Sequence, residues 1–595
     1  MRNYSAILVT AAVAFAGGMF VAESSLSLHS QALPAVGELA AAPTTNWLKN
    51  GGNLFNHNYS PLTRITRDNV TTLRGVWQTH LNGSGLGIKY SGEAQPVIHD
   101  GTIYIVTGAD DVFALAVQTG RIVWSYKAGL PENISTICCG WTSRGVALGD
   151  GRVYVGQLDG RLVALDERTG QQLWSVQAER WQNGYTITAA PLYYDGRIIV
   201  GFAGGENGTR GRVKAFDAKD GHLLWTFYTV PGPGELGHDT WPQNTDAWLH
   251  GGGTVWQTPA VDPELGLIYF TTGNPGPDFN GKIRAGDNLF TTSMVAVEAA
   301  TGKYRWHFQQ IHHDLWDYDG PSPVVLFDVT INGRLRKAAA EPNKAGWVYI
   351  LDRTNGKPLI GVDEMPVPQE PRQATSRTQP IPRGDAFVPH SVDIAPEDYT
   401  LVNQGRIFTP FWKEPIVAKP GARGGANWPP SSYDPATNTL YVCATDAANV
   451  FRGGEDDQQI TPEGQRYLGS AFGGAPLPAA GIFAALDMKT NKLLWQQRWK
   501  ESCYSGSVTT AGGLVFTGRN DGRLTALNSS TGKRLWEFQT GAGMNAPVSV
   551  FEYEGEEYVV AYSAGSLFAG TTKGDSVWLF STKGTLPEGG APSTR

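Results

Sequence analysis

The sequence predicts an all-β protein, an eight-bladed β-propeller in which a tryptophan of each repeat docks on the next blade. Three observations support this prediction: the composition, an internal repeat that ends in tryptophan, and the period of that repeat. The 595 residues include 73 glycines, 36 prolines and 19 tryptophans, and charged residues make up only 17%. This mixture of turn formers and strand formers is typical of all-β folds.

The repeat consists of an alanine, a polar turn with a glycine, and a tryptophan ten residues after the alanine. Its six full copies run from Ala114 to Trp124, Ala164 to Trp174, Ala215 to Trp225, Ala296 to Trp306, Ala485 to Trp495 and Ala526 to Trp536. Asn491 takes the place of the glycine in one copy, and a degenerate seventh copy that begins at Ile350 has lost its tryptophan. Each copy is typical of a strand, a tight turn and a second strand.

Another strand pair precedes most copies, so four strands recur about every 40 to 50 residues, the period of a propeller blade. The seven copies, with an N-terminal strand near Trp77 that closes the ring, predict eight blades. Ring closure leaves few exposed strand edges. We expect a single domain over residues 33–595, with long loops at about 362–399 and 453–481 that cover a site.

Residues 1–32 are predicted to be a signal peptide. Arg2 precedes an apolar run from Ala6 to Ala22, which is shorter than the roughly 20 residues of a membrane span. Cleavage is expected between residues 22 and 32, and a membrane anchor is the alternative. The mature chain is then periplasmic, without stable membrane insertion, in a compartment where disulfides persist. The net charge of −7 and the lack of Lys/Arg runs argue against nucleic acid as a partner.

Cys138 and Cys139 are adjacent, in a chain that has four cysteines. A disulfide between neighbours closes too small a loop to stabilise a fold and departs from ordinary disulfide geometry. The pair is therefore either a chance neighbour pair or a local shape beside a site. For Cys443 and Cys503 the sequence leaves two states open: they form a disulfide, or they are free thiols that act as small buried apolar side chains.

The repeat, the cysteine pair and the motifs below resemble the quinoprotein alcohol dehydrogenases, which use pyrroloquinoline quinone (PQQ). The resemblance extends from about Asn46 to Ser581, nearly the whole mature chain. It implies periplasmic oxidation of an alcohol to an aldehyde or ketone by metal-assisted hydride transfer to the quinone. It further implies a separate soluble cytochrome c as electron acceptor. The sequence has no Cys-x-x-Cys-His motif, so we expect no covalent haem.

The resemblance implies that the quinone lies between a disulfide and a tryptophan. Cys138 and Cys139 match the disulfide on one face, and Trp256 matches the ring that stacks on the other face. Arg144 matches a cofactor-binding arginine, and Lys344 matches a cation at the quinone oxygens. The other matches to cofactor-binding positions are Glu93, Thr188, Gly204, Gly205, Thr254, Asn427 and Trp428.

Metal ligands are implied in the same way. Glu206 and Asn274 match the family's carboxylate and amide ligands, which are oxygen donors and suit a hard cation. Asp317 matches the catalytic carboxylate, which removes the hydroxyl proton and also binds the metal. Asp319 matches an extra ligand of the lanthanide-using branch, unless it turns away and makes a turn hydrogen bond. Because a trivalent ion stabilises more carboxylates, a lanthanide(III) ion is favoured, with Ca²⁺ as the alternative.

The sequence leaves the substrate open. Tyr504 and Phe568 stand where methanol dehydrogenases have tryptophan, so methanol is in doubt as the substrate. A bulky secondary alcohol or a polyol is the alternative to a short primary alcohol. A non-catalytic propeller scaffold is the rival in another class, since fold alone does not determine function. Such a scaffold has no reason to keep the cysteine pair and the acidic motifs together. Whether the chain forms a homodimer is also open.

Overall fold

The computed structural model describes residues 36–454 and 456–588, so the predicted signal peptide and its cleavage site lie outside the described residues. Strands dominate the described part of the chain, which confirms the all-β class. One short α-helix spans Val36–Ala40. The short 3₁₀ segments are Val70–Thr72, Trp181–Asn183, Gly205–Asn207, His238–Thr240, Ala247–His250, Gly281–Arg284, Pro371–Gln373 and Val402–Gly405. Within the described ranges, no helix reaches the length and apolar character that crossing a bilayer requires.

Most strands form antiparallel meanders in chain order. The first four meanders are Val97–His99, Thr102–Val106, Val112–Ala116 and Ile122–Tyr126; Ala147–Gly149, Arg152–Gly156, Arg161–Asp166 and Gln172–Gln177; Leu192–Tyr194, Arg197–Gly201, Arg212–Asp217 and Leu223–Tyr228; and Ala260–Asp262, Leu267–Thr271, Ser293–Glu298 and Tyr304–Gln309. Two further meanders are Ser432–Asp434, Thr439–Asp446, Ala480–Asp487 and Lys492–Trp499; and Ser507–Thr510, Leu514–Gly518, Arg523–Asn528 and Arg534–Gln539, with Tyr59–Ser60 added in parallel.

The last meander is completed by the N-terminal part of the chain. Its strands Ser549–Tyr553, Glu556–Ser563 and Ser576–Ser581 are joined by Arg74–His80, which pairs antiparallel with Ser576–Ser581. The sequence predicted such a strand near Trp77, and the pairing confirms it. The pairing joins the two ends of the described chain in one sheet, while the count of eight blades stays a prediction.

One meander departs from the predicted four strands. It has three, Val325–Ile331, Arg334–Pro342 and Val348–Asp352, and it carries the degenerate repeat. Pro358 follows the turn of this repeat and has no N–H for a strand ladder. In place of a fourth strand, Pro358 forms an isolated bridge to Leu351, and the Leu359 N–H donates to the Ile350 carbonyl at 2.9 Å.

Smaller sheets lie between the meanders. Tyr90–Gly92 pairs in parallel with Trp141–Ser143, Val362–Pro366 pairs with Thr378–Pro382, and Asn449–Arg452 pairs with both Ile416–Ala418 and Ala471–Gly474. The second of these sheets lies inside the predicted long loop 362–399, and the strand Ala471–Gly474 lies inside the loop 453–481.

The alanine and tryptophan of each full copy are direct partners across neighbouring strands. This pairing holds for Ala114 and Trp124, Ala164 and Trp174, Ala215 and Trp225, Ala296 and Trp306, Ala485 and Trp495, and Ala526 and Trp536. The indole N–H groups donate over 2.8–3.2 Å to carbonyls of the next sheet, from Trp77 to Val117, Trp124 to Glu167, Trp174 to Ala218, Trp225 to Ala299, Trp306 to Arg353, Trp495 to Ser529 and Trp536 to Leu73. A buried indole usually has such a partner, so the tryptophans link successive sheets, as predicted.

The turn glycine of each repeat lies against the tryptophan of the preceding sheet. At Gly170, whose φ is +71°, an added Cβ would lie 2.5 Å from the ring of Trp124. This contact explains why Asn491 can replace glycine in one copy, because the preceding repeat has no tryptophan. Asn491 has φ +56°, which asparagine tolerates, and its amide donates to the carbonyl of Val348 at 2.9 Å.

We expect Gly170→Ala to lower the free energy of unfolding by roughly 2–5 kcal/mol, from left-handed strain and overpacking together. Gly151 is the matched control, since it has φ +67° but nothing within 4 Å of an added Cβ. Gly151→Ala should cost only about 1–2 kcal/mol, the strain alone. Urea unfolding of both variants measures the difference, and equal losses would show that contact with Trp124 contributes nothing.

Candidate active site

All predicted site residues except Glu93 and Gly205 line one cavity of about 230 Å³. Its wall includes Cys138, Cys139, Arg144, Thr188, Gly204, Glu206, Thr254, Trp256, Asn274, Asp317, Asp319, Lys344, Asn427 and Trp428. Glu206, Asn274 and Lys344 follow Arg197–Gly201, Leu267–Thr271 and Arg334–Pro342, each the second strand of its meander. Loops that leave equivalent ends of neighbouring sheets converge, which brings residues far apart in sequence together.

Cys138 and Cys139 form a disulfide in the cavity wall. Both sulfur atoms lie within 4.8 Å of a carboxylate oxygen of Glu206. Because the sulfurs are bonded to each other, neither is a thiolate that could ligate a metal. The pair is therefore no chance neighbour; it presents a sulfur surface beside an acidic group.

Arg144 lies next to the disulfide, where its guanidinium contacts two side chains and donates to the Trp256 carbonyl at 3.4 Å. Its guanidinium pairs with the Glu93 carboxylate at 3.2 Å and donates to the Thr188 hydroxyl at 3.0 Å. Glu93 is 2% exposed and also accepts a hydrogen bond from the Thr142 hydroxyl at 3.0 Å. Glu93 therefore lies behind the cavity wall and orients the arginine.

Aromatic rings line the side of the cavity next to Arg144. Its guanidinium carbon lies 5.6 Å from the ring centre of Trp256 and 4.9 Å from that of Trp428. Tyr504 lies 5.7 Å from Trp428 and 5.6 Å from Phe568, and all three rings belong to the wall. Tyr504 and Phe568, the two departures from the methanol dehydrogenase pattern, thus face the same cavity.

Asp317, Asp319 and Lys344 form an ionic cluster in which Asp319 and Lys344 are buried and Asp317 is partly exposed. The ammonium of Lys344 lies 2.7 Å from Asp317 Oδ1 and 2.6 Å from Asp319 Oδ2. Asp319 Oδ1 accepts a hydrogen bond from the Asn274 N–H at 2.5 Å. Asp319 therefore faces the cavity and does not turn away. Gly205 lies close to the same residues: a Cβ added to it would lie 3.4 Å from the Thr254 hydroxyl and 3.9 Å from Asn274 Oδ1.

The electrostatics of this cluster favour a bound cation. Burial raises the pKa of the Glu206 carboxyl, and the nearby Asp319 raises it further. Burial also raises the pKa of Asp317 well above its usual range, although Lys344 works against this shift. At Lys344, burial disfavours the charged form, but Asp317 and Asp319 outweigh it and raise its pKa. Burial therefore penalises the ionised carboxylates, and added positive charge would stabilise them.

Several wall residues were not predicted from the sequence. Asp278 follows Asn274 by four residues in the run Asn-Pro-Gly-Pro-Asp, and its buried carboxyl lies in the wall. Arg466, Leu468 and Phe472 come from the segment 453–481, while none of the described residues of 362–399 belongs to the wall. Arg423 stacks on the ring of Phe568 at 4.5 Å. Only the proximity of Asp278 to the Asn274 motif could have pointed to it.

Cys443 and Cys503 form a second disulfide, which decides the alternative left open by the sequence. Cys443 lies in the strand Thr439–Asp446, and Cys503 directly precedes Tyr504 of the wall. Both cysteines are buried. The bond links the strand Thr439–Asp446 to the segment that connects Lys492–Trp499 with Ser507–Thr510, next to the aromatic side of the cavity.

Comparisons with known proteins agree with this architecture. A family model described as "Glucose/ethanol/alcohol dehydrogenase, beta-propeller domain" matches residues 47–475, and one described as "Outer membrane protein assembly factor BamB" matches residues 479–593. The quinoprotein alcohol dehydrogenase PedH of Pseudomonas putida is 35% identical over 535 residues, which cover 86% of this chain and 85% of PedH. The quinoprotein ethanol dehydrogenase of Pseudomonas putida is 30% identical over 627 residues, covering 94% and 96%.

Solved structures give the same result. The quinohemoprotein alcohol dehydrogenase of Comamonas testosteroni has a TM-score of 0.79 and 30% identity, covering 94% of this chain and 83% of that one. A europium-containing methanol dehydrogenase has a TM-score of 0.77 and 27% identity, covering 90% and 98%. These matches confirm the β-propeller fold. The fold and the cavity together define a propeller of the quinoprotein class. The chain belongs to the PQQ-dependent alcohol dehydrogenase family and is an oxidoreductase that acts on alcohols.

The donors and acceptors of the cavity fit PQQ, a flat tricarboxylate quinone. Arg144 Nε and Trp428 Nε1 are buried donors with no partner among the described residues. Such orphaned donors need an acceptor, and the carboxylates and carbonyls of PQQ are acceptors. The carboxylates and the Asn274 amide are oxygen donors that fit a hard metal ion. The cavity therefore suits the cofactor and the ion that the family implies.

Proposed function

We propose that this protein is a periplasmic alcohol dehydrogenase that uses PQQ with a lanthanide(III) ion and passes electrons to a separate soluble cytochrome c. The observation that carries the proposal is the pair Asp317 and Asp319, which face one cavity together with Glu206 and Asn274. PQQ with its metal supplies the hydride acceptor and a Lewis acid when both are bound. The roles below belong to the side chains of this protein.

The cofactor would be held between the Cys138–Cys139 disulfide and Trp256, with Arg144 binding its carboxylates. Thr188 and Glu93 fix the orientation of Arg144 through the contacts at 3.0 and 3.2 Å. A rigid clamp of this kind keeps the reacting atoms in place, because its own side chains are locked by neighbours. The remaining contact residues of the proposal are Gly204, Gly205, Thr254, Lys344, Asn427 and Trp428.

Asp317 is proposed to take the proton of the substrate hydroxyl. A base must lie within hydrogen-bond reach of that proton and must be ionised when the substrate binds. Burial raises the pKa of Asp317, and the Lys344 ammonium at 2.7 Å works against this by favouring the ionised form. The rings of Trp428, Tyr504 and Phe568 line the same cavity as Asp317 and would limit the water in it.

Asp319 supports the choice of a trivalent ion. The proposed ligands Glu206, Asn274, Asp317 and Asp319 include three carboxylates, and ion–carboxylate attraction grows with the charge of the ion. A solved relative that is similar over most of the chain is named as a europium-containing methanol dehydrogenase. Ca²⁺ is the alternative, because it also takes carboxylate and amide oxygens.

The substrate of the proposal is an alcohol, and a bulky secondary alcohol or a polyol is the alternative to a short primary one. The two disulfides support the periplasmic location, because disulfides persist in oxidising compartments. The proposal also includes a cleaved leader, residues 1–32, and a single eight-bladed propeller, residues 33–595.

Reconstitution tests this function. The purified protein, freed of metal and then given PQQ with lanthanum, should reduce an artificial dye when alcohols from a broad panel are added. The same preparation with PQQ and a chelator is the control and should remain inactive. Inertness of the lanthanum form and of a calcium form across the whole panel would contradict the proposed function.

A further inference from the structure

Asp278 is a buried carboxyl in the cavity wall that the proposed function does not use. It is 3% exposed, and its Oδ1 has no hydrogen-bond partner among the described residues. A buried carboxylate oxygen without a partner costs free energy, so such a group usually has a ligand or a functional reason. Its place in the wall puts it beside Glu206, Asn274 and Asp319.

The buried cation Arg284, six residues after Asp278, is committed to other partners. Arg284 is fully buried, and its guanidinium donates to the backbone carbonyls of Pro277 at 2.9 Å, Asp278 at 3.1 Å and Asp314 at 2.6 Å. Its remaining donor contacts Asn288 Oδ1 at 2.9 Å. Arg284 therefore fixes the backbone at Asp278 and, within the described chain, forms no ion pair with the Asp278 carboxylate.

The other cation close to the acids is also occupied. Lys344 pairs with Asp317 and Asp319 at 2.7 and 2.6 Å. Arg144 pairs with Glu93. Of the four wall carboxyls Glu206, Asp278, Asp317 and Asp319, only the last two have an ion-pair partner among the residues described. Glu206 and Asp278, on the side of the cavity where Asn274 lies, thus form no ion pair within the described residues. Burial raises the pKa of Glu206, and Arg466 of the wall works against this by favouring the ionised form, but Arg466 is not within ion-pair distance.

Asp278 also lies next to a proposed metal ligand. Burial raises the pKa of the Asp278 carboxyl, and the Asn274 amide works against this by favouring the ionised form. The Asn274 amide nitrogen donates to the Pro275 carbonyl at 3.1 Å, so the amide oxygen is the atom left for a cation. A carboxyl next to such a ligand, with a free oxygen of its own, is suited to face the same ion.

We propose that Asp278 is a further carboxylate of the metal site, which faces the cation held by Glu206 and Asn274 and increases its preference for a trivalent ion. This inference rests on the metal site of the proposed function. A fourth carboxylate is repulsive with no ion bound and moderately stabilised by Ca²⁺. It is stabilised most by a lanthanide, because the attraction grows with ion charge.

Metal titration of the full protein loaded with PQQ tests this inference without measuring activity. Terbium luminescence gives the affinity for Tb³⁺, and competition against terbium gives the affinity for Ca²⁺. We expect Asp278→Asn, which keeps the size of the side chain, to lower Tb³⁺ affinity at least about tenfold and Ca²⁺ affinity by a smaller factor. Asp278→Ser, a smaller side chain without charge, should give the same change in the Tb³⁺/Ca²⁺ ratio if Asp278→Asn folds poorly.

Asp110 offers a matched control. It is fully buried and its Oδ1 also lacks a partner among the residues that the structure describes, but it does not belong to the cavity wall. Asp110→Asn should leave the affinities for both ions unchanged. Equal losses for Tb³⁺ and Ca²⁺ in Asp278→Asn would mean that Asp278 only orients Asn274, and the inference would be wrong. Unchanged affinities would also overturn it, while Glu206→Gln would still weaken binding if the proposed metal site is right. Failure of the parent protein to bind either ion would refute both proposals.

Discussion

Replacing Asp317 by asparagine is expected to lower kcat for alcohol oxidation about 10³-fold, in line with the loss of a positioned general base. Asparagine has nearly the same shape and keeps an oxygen that can face a metal, but it cannot accept the hydroxyl proton. Lys344 keeps one of its two partners in this variant, because Asp319 remains at 2.6 Å. Steady-state dye reduction with the holoenzyme measures the effect.

The control for this variant is its cofactor content. Bound PQQ, followed by its absorbance, and bound metal, followed by elemental analysis, should match the parent protein. Loss of activity together with loss of PQQ would make Asp317 a residue for cofactor binding only. A kcat within tenfold of the parent, with full cofactor content, would rule out Asp317 as the base.

Asp319→Ala should have the second large effect, on the choice of metal. The variant removes one carboxylate that lies in the wall next to Asn274, so lanthanum should lose more affinity than calcium. We expect the parent protein to be more active with lanthanum than with calcium. In the variant, the ratio of lanthanum to calcium activity should fall at least about tenfold, which corresponds to a loss of about 1.4 kcal/mol of preference for lanthanum. Dye-linked rates over a titration of each ion measure both effects.

A surface ion pair provides the matched control. Asp363 pairs with Arg383 at 2.7 Å on the hairpin Val362–Pro366 and Thr378–Pro382, away from the cavity wall. Asp363→Ala should leave the lanthanum-to-calcium ratio of rates unchanged. A parent protein that is more active with calcium would contradict the choice of a lanthanide. A ratio that Asp319→Ala does not change would remove Asp319 from the metal site.

The fold was predictable because the repeat encodes contacts between neighbouring strands. An alanine and a tryptophan ten residues apart, such as Ala164 and Trp174, are cross-strand partners, so the pattern is local. The three-stranded sheet was missed because the effect of Pro358 on strand pairing depends on a single missing N–H. The replacement of the turn glycine by Asn491 was not predictable, because it is permitted by the lack of a tryptophan in the preceding sheet.

The site was predictable where a motif carries its own signal, as in the adjacent cysteines or the pair Asp317 and Asp319. Contacts between separate loops were not. The Cys443–Cys503 bond joins positions 60 residues apart, and nothing local distinguishes it from two free thiols. Lys344 was expected at the quinone oxygens, while the structure places its ammonium between Asp317 and Asp319. Asp278 was missed because an acid after a proline-rich turn usually faces solvent.

A crystal structure of the protein with PQQ and lanthanum tests the account most directly, because anomalous scattering locates the ion without assumptions. The account predicts the lanthanum peak within bonding distance of Glu206, Asn274, Asp317 and Asp319, with the quinone between the Cys138–Cys139 disulfide and Trp256. A peak away from these four side chains, or a quinone that lies elsewhere in the protein, would contradict it.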